Sequence, residues 1–193
     1  MLREAVESAA GRPEVRDAVA RIYADLQRQI DVRKPICSTS GRCCHFEQFG
    51  HRLYVTTAEL AAFVHQLREK PDAGWDGAGC PFQVDGLCSV HTIRPFGCRV
   101  FFCDATSTEW QNEQYERFHG ELKRLHEGLS VPYFYVEWRE ALRTLGIGSR
   151  LIRETATRLS SSKSSGNPVV RETASGKPQV APRGTLSLPQ LRL

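Results

Sequence analysis

All seven cysteines of this 193-residue chain lie between Cys37 and Cys103. Cysteines that only fill a hydrophobic core would be scattered along the sequence, and these are not. Thiolates gathered in one small region are the usual ligands of zinc, or of iron in an iron–sulfur cluster. The cysteine pattern therefore predicts a domain that is built around a metal–thiolate centre.

The odd number of cysteines argues against a framework of disulfide bonds, because one thiol would be left over. The first residues, Met1–Glu7, lack the apolar region of a secretory signal, so we expect a cytoplasmic protein, where thiols stay reduced. No apolar run approaches the ~18 residues of a membrane span, so we expect no membrane partner.

The C-terminal part differs from the rest in composition. Residues 151–193 are rich in Ser, Pro, Gly and basic residues and contain no aromatic residue, so they cannot bury enough apolar area to offset the entropy of ordering. We predict a single metal-binding domain over 1–150 and a disordered basic tail over 151–193. The positive net charge belongs to the tail, so the domain is not expected to bind nucleic acid.

The apolar periodicity predicts amphipathic helices around a cysteine-rich core at 33–104. The Asp85-Gly86 pair predicts a short β-hairpin between Cys80–Val84 and Leu87–Val90, because this dipeptide accepts the positive φ angles of a type I′ turn. The fold class expected is α+β: a small, irregular, metal-stapled centre with a short hairpin, packed by helices. The helices are predicted at 13–30, 57–70, 107–128 and 132–146.

The residues leave the number of metal sites open. Four thiolates complete one tetrahedral zinc or one four-iron cluster, whereas seven thiolates and one imidazole complete two zinc sites. We expect at least three of the sulfurs of Cys37, Cys44, Cys80 and Cys98 to converge, and Arg94 and Arg99 are candidates for lowering thiol pKa values. The candidate metal ligands are Cys37, Cys43, Cys44, Cys80, Cys88, Cys98, Cys103 and His91.

The region 33–104 resembles the bacterial cysteine-cluster proteins of the YkgJ type, described as zinc- or iron-chelating. The first family motif is Cys-x-x-Cys-x-x-Cys-Cys, and Cys37, Gly41, Cys43 and Cys44 match it, while Ser40 stands where the family has its second cysteine. The later motifs match as Cys80-Pro-Phe, Gly86-x-Cys88, and Arg94-Pro-x-x-Cys98-Arg followed by Cys103. The resemblance implies bound zinc or an iron–sulfur cluster, with one thiol ligand fewer than the family pattern.

The function expected from the sequence is metal binding, with zinc or an iron–sulfur cluster held by thiolates and serving mainly to complete the fold. One alternative is an iron–sulfur redox or group-transfer enzyme, because a domain related to the family occurs in a flagellin lysine methylase. Another is a scaffold that keeps the fold without the metal. The sequence predicts a metal ion as partner and does not identify a protein partner.

Overall fold

The computed structural model describes residues 1–68, 71, 75 and 77–148 of the chain. Its elements combine helices with two small antiparallel sheets, which is an α+β arrangement as predicted. The predicted tail at 151–193 lies outside the described residues. The helices are α1 (Leu2–Ala10), α2 (Pro13–Arg33), α3 (Phe46–Phe49), α4 (Thr57–Gln66), α5 (Phe96–Val100), α6 (Thr108–Gly128) and α7 (Trp138–Leu145), and the strands are β1 (Tyr54–Thr56), β2 (Gln83–Val84), β3 (Leu87–Cys88) and β4 (Tyr135–Glu137).

The long helices follow the apolar periodicity of the sequence. Pro13 occupies the first turn of α2, and the buried face of that helix includes Val15, Val19 and Leu26. The helix continues three residues beyond the predicted end at 30. It packs against α4 and α6, and the buried Phe118 and Leu122 of α6 meet Leu26 in one apolar cluster.

The start of α4 is fixed by a capping box. The hydroxyl of Thr56 accepts the backbone N–H of Glu59 at 3.4 Å, and the carboxylate of Glu59 accepts the backbone N–H of Thr56 at 2.9 Å. The predicted helix 57–70 therefore begins where expected. It ends early, at Gln66, because Leu67 has an extended backbone.

One predicted helix start is wrong, and another is displaced by one residue. The helix expected over 132–146 begins only at Trp138, because Tyr135–Glu137 form β4 and pair antiparallel with β1, with Val55 opposite Val136. The helix predicted over 107–128 begins at Thr108, because Ala105–Ser107 form a 3₁₀ turn that is capped by the side chain of Asp104.

The predicted hairpin is present. Asp85 and Gly86 have φ angles of 49° and 78°, as a type I′ turn requires, and Gln83 pairs with Cys88. The strands are shorter than expected, with two residues each. The main apolar core lies beneath this hairpin and contains Phe63, Phe82 and Trp138, whose rings meet edge-on or tilted.

Within the described residues, no helix combines the length and the apolar character that crossing a membrane would require.

Candidate metal centre

The first two thiols of the centre are presented by a single tight turn. Arg42–Cys44 form a 3₁₀ helix that opens at Gly41, where φ is 69°, and the N–H of Cys44 donates to the carbonyl of Gly41 at 3.0 Å. This conformation places Cys44 in the interior, with 7 % of its surface exposed, and leaves Cys43 half-buried. A residue with a side chain rarely adopts the φ of Gly41, so the glycine permits the turn.

The hairpin brings two further thiols to this turn. The N–H of Cys80 donates to the carbonyl of Cys44 at 2.9 Å, and the side-chain amide of Gln83 donates to the carbonyl of Gly41 at 3.0 Å. Because Gln83 pairs with Cys88 across the hairpin, the same docking brings Cys88 to the turn. Both thiols are partly buried.

The fifth thiol, Cys98, comes from the short helix α5. Its N–H donates to the carbonyl of Pro95 at 3.1 Å, and the start of α5 is held by the buried carboxylate of Glu59, which accepts the N–H of Phe96 at 3.0 Å. The side chains of Cys98 and Cys80 pack against the main apolar core. Residues distant in sequence therefore converge on one side of that core.

The thiols share Cys44 as a common neighbour. Hydrogen bonds with Cys43, Cys80 and Cys88 raise the pKa of the Cys44 thiol. The hydrogen bond with Cys44 is also the main reason why the pKa of Cys43 falls to about 6 and that of Cys88 to about 7. The same contact lowers the pKa of Cys80. The proton is thus retained on Cys44, while Cys43 and Cys88 are readily converted to thiolates near neutral pH.

Cys98 belongs to the same electrostatic group. Burial raises its pKa well above the ordinary value, and the neighbouring Cys80, Cys88 and Cys43 raise it further. A buried thiol beside other thiolates keeps its proton, because a further negative charge there would be poorly solvated. A bound cation would reverse this preference, because it would supply the compensating charge.

Two donors face the sulfurs from the protein side. The positive charge of Arg94 contributes to the lowered pKa values of Cys43 and Cys88 and offsets part of the rise at Cys98, and its Nε is buried without a hydrogen-bond partner. The indole Nε1 of Trp138 is also buried without a partner at normal hydrogen-bond distance, yet it lies close enough to Cys80 to lower the pKa of that thiol. Both donors suit a centre that carries negative charge.

The two arginines that were predicted to lower thiol pKa values differ in their positions. Arg94 lies by the sulfurs, whereas Arg99 turns its guanidinium to the carbonyls of Arg94 and Thr92, at 2.9 and 2.6 Å, and over the ring of Tyr23. Trp138 was not among the sequence candidates. No local motif marks it, and it reaches the thiols only because α7 packs beneath the hairpin.

The remaining predicted ligands lie elsewhere. Cys37 and Cys103 are exposed, and the hydroxyl of Ser40 lies 3.7 Å from the sulfur of Cys103. His91 is exposed, and its pKa is lowered by desolvation and by the charges of Arg94 and Arg99. The structure thus brings together five of the seven thiols and places two at the surface.

A cleft with a volume of about 670 Å³ opens beside Cys80. Its apolar wall includes Trp75 and Phe82, and its polar lining includes His45 and Gln83. The cleft gives small solutes, including ions and chelators, a path to the thiol group.

In the described part of the chain, no three Cys, His, Asp or Glu side chains are arranged so as to enclose a metal ion. The thiols around Cys44 instead lie close enough to shift one another's pKa values. The donor chemistry nevertheless fits a soft or borderline metal: the set consists of thiols, two of which titrate near neutral pH, and the two buried orphan donors beside them suit thiolates.

Comparison with protein-family models, curated proteins and solved structures gave no match for this chain. The resemblance of residues 33–104 to the cysteine-cluster proteins therefore stays a prediction from the residues.

Proposed function

We propose that this protein binds a metal, zinc or the iron of an iron–sulfur cluster, through the thiolates of Cys43, Cys44, Cys80 and Cys88, with Cys98 beside them. The observation that supports this most is that the hairpin brings Cys80 and Cys88 to the turn that carries Cys43 and Cys44, about forty positions earlier in the chain. Four thiolates suffice for one tetrahedral zinc or one four-iron cluster.

The chain's own residues would prepare and support such a centre. Cys43 and Cys88 lose their protons near neutral pH, and Cys44 would have to give up its proton to bind a metal, because metal ligands must be deprotonated. Arg94 offsets part of the negative charge of the thiolates, and the N–H of Trp138 faces the sulfur of Cys80. Hydrogen bonds of this kind to coordinating sulfurs fix and tune such sites.

The metal would act mainly as a structural link. The first turn, the hairpin and α5 are short elements, and each carries a thiol of the group. Short elements hold little stability of their own, so a bond from each to one metal would fix their relative positions. Membership in the YkgJ-type cysteine-cluster family and a reducing, cytoplasmic location are part of the same proposal.

The test is elemental analysis together with a visible absorption spectrum of protein purified without oxygen. We expect either stoichiometric zinc in a colourless protein or iron with absorbance near ~400 nm, as iron–sulfur clusters show. The Cys44→Ser variant should lose the metal, and its melting temperature should fall by about 10 °C or more, because metal binding adds to folding free energy.

The matched control is Cys103→Ser, which removes an exposed thiol outside the group. The control should keep the metal content and melting temperature of the wild type. Wild-type protein without zinc or iron after anaerobic purification would contradict the proposal and favour a scaffold without metal. Equal metal loss in both variants would contradict the ligand assignment.

A further inference from the structure

The two surface thiols, Cys37 and Cys103, lie on segments that are tied to each other. The guanidinium of Arg33 donates to the carbonyl of Thr106 at 2.8 Å, and the N–H of Ile36 donates to the carboxylate of Asp104 at 3.2 Å. The hydroxyl of Ser40 contacts the sulfur of Cys103 at 3.7 Å. The segment 33–40 therefore runs alongside 103–106 in the opposite direction.

These contacts bracket Cys37. Residue 36 on one side of it is bonded to residue 104, and residue 40 on the other side touches residue 103. Cys37 thus follows directly after a residue bonded to Asp104, the neighbour of Cys103, and both thiols are exposed to solvent. The side chain of Asp104 is held in place, because its carboxylate also accepts hydrogen bonds from the hydroxyls of Thr106 and Ser107, each at 2.7 Å.

We propose that Cys37 and Cys103 form a dithiol site, separate from the buried thiol group, that is oxidised reversibly to a disulfide by peroxides. The inference does not rest on the proposed metal-binding function, because neither thiol belongs to the group around Cys44. The intervening residues 37–41 can adjust, since they are exposed or half-buried and belong to no helix or strand. A disulfide needs the two Cα atoms roughly 4.4–6.8 Å apart.

The chemistry balances with one peroxide for each disulfide. The thiolate of one cysteine attacks a peroxide oxygen, the O–O bond breaks, and a sulfenic acid forms with release of water. The thiolate of the other cysteine then attacks the sulfenic sulfur, the S–S bond forms, the S–O bond breaks, and a second water leaves. The two thiols lose two hydrogens in total, and hydrogen peroxide is reduced to two waters.

The sequence makes the pairing easy to read by peptide mapping. Trypsin cuts after Lys and Arg except before Pro, so Cys37 falls alone in the peptide 34–42 and Cys103 alone in 100–117. The other thiols fall in 43–52 and 69–99. Full-length protein as purified is treated with one equivalent of hydrogen peroxide, alkylated with iodoacetamide, digested and analysed by mass spectrometry.

We expect 34–42 joined to 100–117 in most molecules, with the mass of two hydrogens lost, and separated again by dithiothreitol. Cys37→Ser and Cys103→Ser should each abolish the joined species, whereas the neighbouring Ser38→Ala should keep it. A dominant link from either peptide to 43–52 or 69–99, or no link with both peptides alkylated, would overturn the proposal. Alkylation of both thiols only after a chelator is added would overturn it as well, because the two would then be metal ligands.

Discussion

Replacing Glu59 by glutamine tests how the helix that carries Cys98 is held in place. The carboxylate is buried, with 2 % of its surface exposed. One oxygen accepts the hydroxyl of Tyr23 at 3.2 Å and the N–H of Phe96 at 3.0 Å, and the other accepts the N–H and the hydroxyl of Thr56, at 2.9 and 3.0 Å. Each oxygen therefore accepts one backbone N–H, which can only donate, so the amide –NH₂ of glutamine opposes a buried N–H on whichever side it lies.

The magnitude follows from the number of lost contacts. Glu59→Gln leaves one buried backbone N–H without an acceptor, at about 1–3 kcal/mol, and forces one hydroxyl to turn and accept. Burial raises the pKa of Glu59, so removing the charge returns part of that loss. We expect the unfolding free energy to fall by about 2 kcal/mol, which lowers the melting temperature by about 4–8 °C for a domain of this size.

The assay is urea unfolding followed by circular dichroism, with Glu113→Gln as the control, because Glu113 is an exposed residue of α6. The control should change stability by less than about 0.5 kcal/mol. Alkylation of Cys98 should also be faster in Glu59→Gln, since the N–H of Phe96 anchors α5. Equal stability of Glu59→Gln and the control would refute the reasoning.

Three further changes test the fold and the centre. Gly41 and Gly50 both have a positive φ, of 69° and 66°, but of the two only Gly41 has no room for a Cβ, which would lie 2.7 Å from the carbonyl oxygen of Gly86. Urea unfolding should therefore show that Gly41→Ala lowers the unfolding free energy more than Gly50→Ala does, by about 1 kcal/mol or more. Burial lowers the pKa of His126, whose neutral ring accepts the N–H of Ala58 at 3.4 Å. Protonation of this ring therefore favours the unfolded state, so the wild type should lose stability as pH falls below 6.5. Thermal melts should show a weaker loss in His126→Gln. Removal of residues 156–193, which contain no cysteine, should leave the metal content unchanged in elemental analysis.

The parts of the fold that the sequence predicts well are those encoded locally. The Asp85-Gly86 turn depends on two residues, and the start of α4 depends on Thr56 and Glu59. The helix prediction for 132–137 is wrong because the strand in this segment forms only by pairing with β1, about eighty positions away in the chain. Helix α1 was not predicted either, although Val6 and Ala9 show its buried spacing.

The candidate site, too, was predicted where the signal is local and missed where it depends on long-range contacts. Clustering of cysteines in the sequence indicates a thiol-rich centre, and Gly41 indicates the tight turn before Cys43 and Cys44. Which thiols meet depends on docking of the hairpin onto that turn through the contact between Cys80 and Cys44, which no spacing encodes. Of the four thiols of which at least three were expected to converge, Cys44, Cys80 and Cys98 belong to the group, and Cys37 lies at the surface beside the 103–106 segment.

The central claim is that the thiols around Cys44 hold a metal, and X-ray absorption at the metal edge of anaerobically purified protein tests it most directly. The account predicts a first shell dominated by sulfur at about 2.3 Å, with about four sulfurs per metal, and no change in that shell in the Cys37→Ser variant. A shell of nitrogen and oxygen alone, or one that loses a sulfur in Cys37→Ser, would contradict it.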